Sequence, residues 1–209
     1  VRDDGTAKAT RMTEESLRQL SSTSILNGPF KGMQYDNDLF CCSAIPPKLL
    51  GSYEREIHPW LEEMAAKKYD GVIDVGCAEG YYAVGFAWRF KNTPVYAYDI
   101  NEQAREQCRK LAAINHVEKQ VELRAYCDPD ELARVVDGRR FLIVSDCEGY
   151  EKTLFSESNI SSLRQSDILI EVHDFMDISI LPYLRTLFAS SHAIHETESI
   201  DDLRKLDRY

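Results

Sequence analysis

One stretch constrains this chain more than any other: Val72-Ile73-Asp74-Val75-Gly76-Cys77-Ala78-Glu79-Gly80-Tyr81. A β-branched apolar run closes on an acidic residue, and small residues then recur at alternate positions. That is the pattern of a buried parallel strand turning sharply into a helix beneath a ligand. Small side chains let the backbone take positive φ values and approach that ligand closely. A dinucleotide turn needs G-x-G-x-x-G, with pyrophosphate over the helix N-terminus. Here Tyr81 stands where that pattern wants its last glycine. Asp74 at the strand end would repel a pyrophosphate and suits a ligand carrying positive charge.

From Gly71 onward strand-like and helix-like segments alternate. The pattern predicts strands at about 71–75, 95–99, 120–125, 140–146 and 167–173, with helices at about 80–90, 102–114, 129–136, 151–163 and 178–189. Strict alternation implies an α/β fold: a mostly parallel sheet with helices on both faces. Ligands of such sheets bind outside the carboxyl ends of the strands.

Polar residues gather at those ends. The second strand closes on Asp99-Ile100-Asn101, and Asp99 lies 25 residues past Asp74. It can accept two hydrogen bonds from ribose hydroxyls, or it can cap the next helix, a task Asn101 performs as well. The third strand runs into Tyr126-Cys127-Asp128-Pro129, placed either to meet an adenine edge or to cap a helix with Pro129 in its first turn. The fourth ends in Asp146-Cys147-Glu148-Gly149-Tyr150-Glu151, whose three carboxylates are costly to crowd together unless a cation or a proton uses them. In the fifth, Glu171 and His173 share a face by strand alternation, and a glutamate inside an apolar strand is unusual.

The Asp74-x-Gly76-x-Ala78-x-Gly80 pattern resembles motif I of class I methyltransferases that depend on S-adenosylmethionine (SAM). Asp146-x-Glu148-Gly149-x-Glu151, followed by Glu171-Val172-His173, is similar to the FkbM-type branch of that superfamily. The likeness covers about residues 70–189 and departs at Ser145, near which the branch often carries lysine. It implies a Rossmann-like methyltransferase domain over 51–209 behind an arm of loops and helix over 1–50. It also implies SAM held by Asp74, Gly76, Cys77, Ala78, Glu79, Gly80, Asp99, Ile100, Cys127, Asp128 and Asp146. The acceptor implied is a sugar or another small or glycan-linked hydroxyl. A base must take the hydroxyl proton as the methyl moves. His173 is the first candidate, because its free pKa lies near neutrality, with Glu148 and Asp146 next; His173 reads equally as a core histidine bonded to a carbonyl. A divalent cation on Asp146, His173 and Asp174 is a variant of this mechanism, but no spacing dictates a cage, so the reading is metal-free. Two other classes compete: a non-catalytic protein on the same fold, expected to lose the strand-end carboxylates, and a nicotinamide oxidoreductase, disfavoured by the glycine spacing.

Bulk properties exclude more than they assign. A formal charge of −10 argues against a sequence-independent grip on nucleic acid, and the strand-four motif is not the Pro-Pro-aromatic of amino-methylating DNA enzymes. No apolar run approaches the roughly 18 residues of a membrane span. The six cysteines show no C-x-x-C pair and read as reduced thiols of a cytoplasmic protein. The chain begins at Val1, which leaves room for a longer protein. Before the sheet, Thr13 to Leu20 suits a short helix. Gly28 to Met33 is a loop whose Phe30 and Met33 cover a ligand or plug the core. Pro46-Pro47 marks a break, and Ser52 to Lys68 an amphipathic helix that Pro59 would kink. A last strand is expected at Ala193 to Thr197.

Overall fold

The computed structural model describes residues 24–35 and 45–200. The expected helix at 13–20, together with Cys41 and Cys42, lies outside the described residues. Strands β1 (Gly71–Val75), β2 (Val95–Tyr98), β3 (Val121–Arg124), β4 (Phe141–Ser145) and β5 (Asp167–Ile170) form one sheet in the order β3-β2-β1-β4-β5. Every pairing is parallel. The chain builds outward from β1 to β3, then returns to lay β4 on the other side of β1. The order therefore reverses between β1 and β4, and sheets of this kind take their ligands outside the carboxyl ends at such a reversal.

Alternation along β1 separates two cores. Val72 faces one that holds α3 (Tyr81–Arg89) and α4 (Glu102–Ile114), through Val84, Phe86, Cys108 and Leu111. Ile73 and Val75 face the other, with α5 (Pro129–Val136), α6 (Glu151–Leu154) and α7 (Ile180–Phe188). β1 and β4 are buried along their whole length, as a strand covered on both faces must be, while the edge strand β5 is half-exposed throughout. Beside that edge lies a groove of about 540 Å³, and none of the strand-end acids of β1, β2 or β4 lines it. Among the described residues no helix is long and apolar enough to cross a membrane.

The segment before the sheet is part of the first core. Phe30 is fully buried, edge-on to Tyr81 (5.2 Å) and Phe86 (5.3 Å). A Cβ on Gly85 would come within 2.7 Å of its ring, so that helix position has to be glycine. Ile25, Met33, Ile45 and Leu49 join the same cluster. The 28–33 loop thus plugs the core, settling the alternative left open by its sequence.

Several local expectations are corrected. Pro46 and Pro47 do not break the chain; they occupy the first turn of α1 (Ile45–Leu50), where a missing N–H leaves no bond unmade. The helix expected over 52–68 divides into a 3₁₀ turn at Arg55–Ile57 and α2 (His58–Ala65), with Pro59 in the first turn of α2 rather than at a kink. The helix expected over 151–163 stops after α6. Beyond it the chain runs in turns, where Asn159 accepts a bond from Ser156 N–H (3.0 Å) and donates to Leu154 C=O (2.8 Å). β5 ends at Ile170, three residues short of its expected limit, although Glu171 N–H still reaches Ser145 C=O (2.9 Å). Residues 193–197 form no strand; they run beside α2, where Trp60 donates to Thr197 Oγ1 (3.1 Å).

Phe30→Ala is expected to destabilise the protein by about 3–5 kcal/mol, the cost of emptying an aromatic site in a core. Urea unfolding measures this, and a loss below about 1 kcal/mol would show that the segment only rests on the sheet domain.

Candidate active site

The turn after β1 is built by its neighbours. Gly76 has φ +86°, and a Cβ there would lie 1.6 Å from the carbonyl oxygen of Asp146, at the end of β4. Gly80 has φ +97°, and a Cβ would strike the Cys108 sulfur at 2.5 Å. Ala78, between them, also has a positive φ of 47°. The N–H groups of Gly76 and Cys77 both bond to the Tyr98 carbonyl (2.9 and 3.0 Å), which fastens the turn to the end of β2.

Asp99 completes that attachment. Its Oδ2 accepts from Ala78 N–H (2.9 Å) and its Oδ1 from Asn101 N–H (2.8 Å). Asn101 caps α4 by accepting from Gln103 N–H (2.9 Å), so the cap does not consume Asp99. Each carboxylate oxygen keeps a second lone pair for a hydroxyl above it. Ile100, beside it, is 82% exposed. Asp128 accepts from Glu131 N–H (2.8 Å) and caps α5. The Cys77 and Cys127 side chains are buried in the two cores, where burial pushes Cys127 up to about 12, and a Cys108 bond together with burial raises Cys77.

Asp74 is 2% exposed, accepts from the Ala83 N–H of α3, and leaves Oδ2 without a hydrogen bond. Burial, then the neighbouring Asp146, push its pKa up to about 8. Glu79 is equally buried but differently compensated. Lys48 of α1 pairs with it, and Tyr35 donates its hydroxyl to it. The Lys48 ammonium also lies 4.9 and 5.4 Å from the Tyr53 and Tyr81 ring centres. Glu79, expected to face the ligand, is thus held by the N-terminal segment. Lys48 and Tyr35 carry no signal in sequence, because their role depends on a contact across 31 and 44 residues.

The second group stands at the ends of β4 and β5. His173 is 4% exposed, and its Nδ1 lies 2.5 Å from Oε1 of Glu151, which is fully buried. Gly149 N–H donates to that same oxygen (3.2 Å). Nε2 is thereby directed at Asp146 Oδ1 (3.4 Å) and Glu148 Oε2 (3.5 Å). Burial alone would lower the imidazole pKa; the Glu151 bond, with the charges of Glu151, Asp146 and Glu148, turns the net shift upward. Desolvation raises Asp146 to about 6 and Glu171 to about 7, and nearby carboxylates add to both. Asp146, Glu171 and His173 each bring one ligating atom within 4.8 Å of the others. Asp174, expected to complete such a set, is exposed and stands outside it. Glu54, held by the Tyr82 hydroxyl at a φ of 46°, adds negative charge from the N-terminal side, a contribution its sequence position did not reveal.

Residues 59–144, from α2 into β4, match the family model of ribosomal protein L11 methyltransferase (PrmA). The parallel sheet, its order reversing between β1 and β4 with helices on both faces, is a Rossmann-like fold of the class I methyltransferase type. Solved structures of similar shape include precorrin-6y C5,15-methyltransferase from Geobacter metallireducens, at 15% identity over 74% of this chain and 79% of that one, with a TM-score of 0.48. Another is precorrin-8w decarboxylase from Methanobacterium thermoautotrophicum, at 18% identity over 73% and 76%, with a TM-score of 0.46. An O-methyltransferase family protein from Burkholderia thailandensis is 18% identical over 66% of this chain and 44% of that one, with a TM-score of 0.37. No curated protein sequence matches the chain.

Asp74 makes stability depend on pH. Its folded pKa of about 8 lies above the unfolded value of about 3.9, so the folded state keeps a proton that the unfolded chain releases. Its contribution is therefore full below about pH 4 and is lost as pH rises through about 8. In thermal melts, Asp74→Asn should gain on the wild type steadily between pH 5 and 9. A difference independent of pH would contradict the buried, protonated carboxyl.

Proposed function

We propose that the protein transfers a methyl group from SAM to a hydroxyl of a sugar or another small or glycan-linked acceptor, as a member of the FkbM-type branch. The observation that carries this reading is the contact of Gly76 with the Asp146 carbonyl, which sets the motif I turn against the His173 cluster. A donor resting on that turn would present its sulfonium beside a group able to deal with an acceptor proton. The transfer is an in-line displacement: the acceptor oxygen attacks the methyl carbon, the carbon–sulfur bond breaks, and S-adenosylhomocysteine (SAH) leaves. Alignment supplies most of the acceleration in such a step.

The residues divide the work. Asp99 takes the ribose hydroxyls while holding Ala78. Asp74, with its unpartnered oxygen, favours the cationic end of the donor, and the glycines admit the backbone beneath it. The hydroxyl proton leaves through the group formed by His173, Asp146 and Glu148, with Glu151 fixing the imidazole as a carboxylate fixes a catalytic histidine. Cys77, Cys108, Cys127 and Cys147 are free thiols, which suits a reducing, cytoplasmic setting.

Isothermal titration with SAH tests the reading. One site per chain is expected, with no heat from NAD. Asp99→Ala should weaken SAH by about 1–3 kcal/mol through lost charge-assisted bonds, roughly 5- to 150-fold. Absence of SAH binding would overturn the function, and unchanged affinity in the variant would mean the ribose is held elsewhere.

A further inference from the structure

The ends of β4 and β5 hold more negative charge than the protein itself neutralises. Glu54, Asp146, Glu148, Glu151 and Glu171 all act on this one region. Among the described residues no lysine or arginine forms an ion pair with Asp146, Glu148, Glu151 or Glu171; the cationic partner of the first three is His173. Carboxylates crowded and desolvated in this way are costly unless a cation joins them.

Two further observations show where a cation would sit. The His173 side chain is 5% exposed, and its Nδ1 is committed to Glu151. Nε2 therefore points into the cluster, where its nearest acceptors stand at 3.4 and 3.5 Å and no hydrogen bond forms. Asp146 Oδ1, facing it, is a buried atom with no hydrogen-bond partner. Metal-binding histidines characteristically give their other ring N–H to a carboxylate, which fixes ring and tautomer. Glu151, itself held by Gly149 N–H, is placed for that task.

We propose that Asp146, Glu171 and His173 bind a divalent cation, with Glu151 as the positioning residue behind the imidazole. Their ligating atoms lie within 4.8 Å of one another and would draw inward to share an ion, since adjacent ligands at about 2.0–2.2 Å from one centre stand about 3 Å apart. Two carboxylate oxygens and one imidazole nitrogen suit a six-coordinate ion of the Mn²⁺ type. Three coordination positions stay open, enough for two neighbouring oxygens of an acceptor. The site thereby favours acceptors with adjacent oxygen functions, such as vicinal diols. This chemistry rests on the methyl-transfer reading; binding of the cation does not. With the ion in place Nε2 would be a ligand and no longer a base, and the ion would make a coordinated hydroxyl more acidic, leaving Glu148 at the rim as the group to take its proton. The resulting oxygen anion attacks the methyl carbon as before.

The test is titration of chelator-treated, full-length protein with Mn²⁺, following the loss of the free-ion signal by electron paramagnetic resonance. One Mn²⁺ per chain is expected, weakened at least tenfold in Glu171→Gln and His173→Ala and about tenfold in Glu151→Gln. The exposed Glu157→Gln should bind as the wild type does. Calorimetry with SAH on each metal-free variant checks that the fold and the donor site persist. Mn²⁺ that stays free, or binds equally to wild type, Glu171→Gln and His173→Ala, overturns the cation site while SAH binding leaves methyl transfer standing. Mn²⁺ binding without SAH binding keeps the site and overturns methyl transfer.

Discussion

Gly76 passes so close to the Asp146 carbonyl that no side chain fits between them. This contact is the constraint on which the site depends. It joins the turn after the central strand to the end of its neighbour at the point where strand order reverses, and so brings two functional groups to one end of the sheet. On one side the Ala78 amide and the Asp99 carboxylate clasp the turn to β2. On the other, Asp146 continues toward His173 and Glu151. A larger residue at position 76 would move these halves apart while leaving the sheet intact.

The acids at these strand ends are treated in two ways. Glu79 is neutralised within the protein by Lys48 and Tyr35, and that bond ties the N-terminal segment to the motif I turn. Asp74, Asp146 and Glu171 are not neutralised in this way, and all three carboxyls are pushed upward, chiefly by desolvation. Glu79 is paired inside the protein, whereas Oδ2 of Asp74 and Oδ1 of Asp146 have no hydrogen-bond partner among the described residues. The proposed sulfonium donor and divalent cation would occupy adjoining parts of this edge.

The sheet was legible because its strands are short apolar runs separated by clear helices, and the acids at their ends stood out against them. Asp74, Asp99, Asp146, Glu171 and His173 stand out as candidates on that basis. What escaped lies where local pattern gives no information. Past α6 the chain runs in turns, with Asn159 bonding Ser156 N–H and Leu154 C=O, side-chain bonds that periodicity does not announce. The prolines at 46 and 47 look like a break and begin a helix, since a first turn needs no N–H from them. The roles of Lys48, Tyr35 and Glu54 come only from long-range packing, which no spacing along the chain encodes. Glu151 was visible as one acid among several, but its position behind His173 depends on a close approach of α6 to the end of β5.

The most direct measurement is a crystal structure of the protein with SAH. The ribose is expected on Asp99, the homocysteine over Gly76 to Gly80, and the sulfur facing the space between Asp146 and His173. SAH bound in the groove beside β5, or with its sulfur turned away from Asp146 and His173, would contradict it.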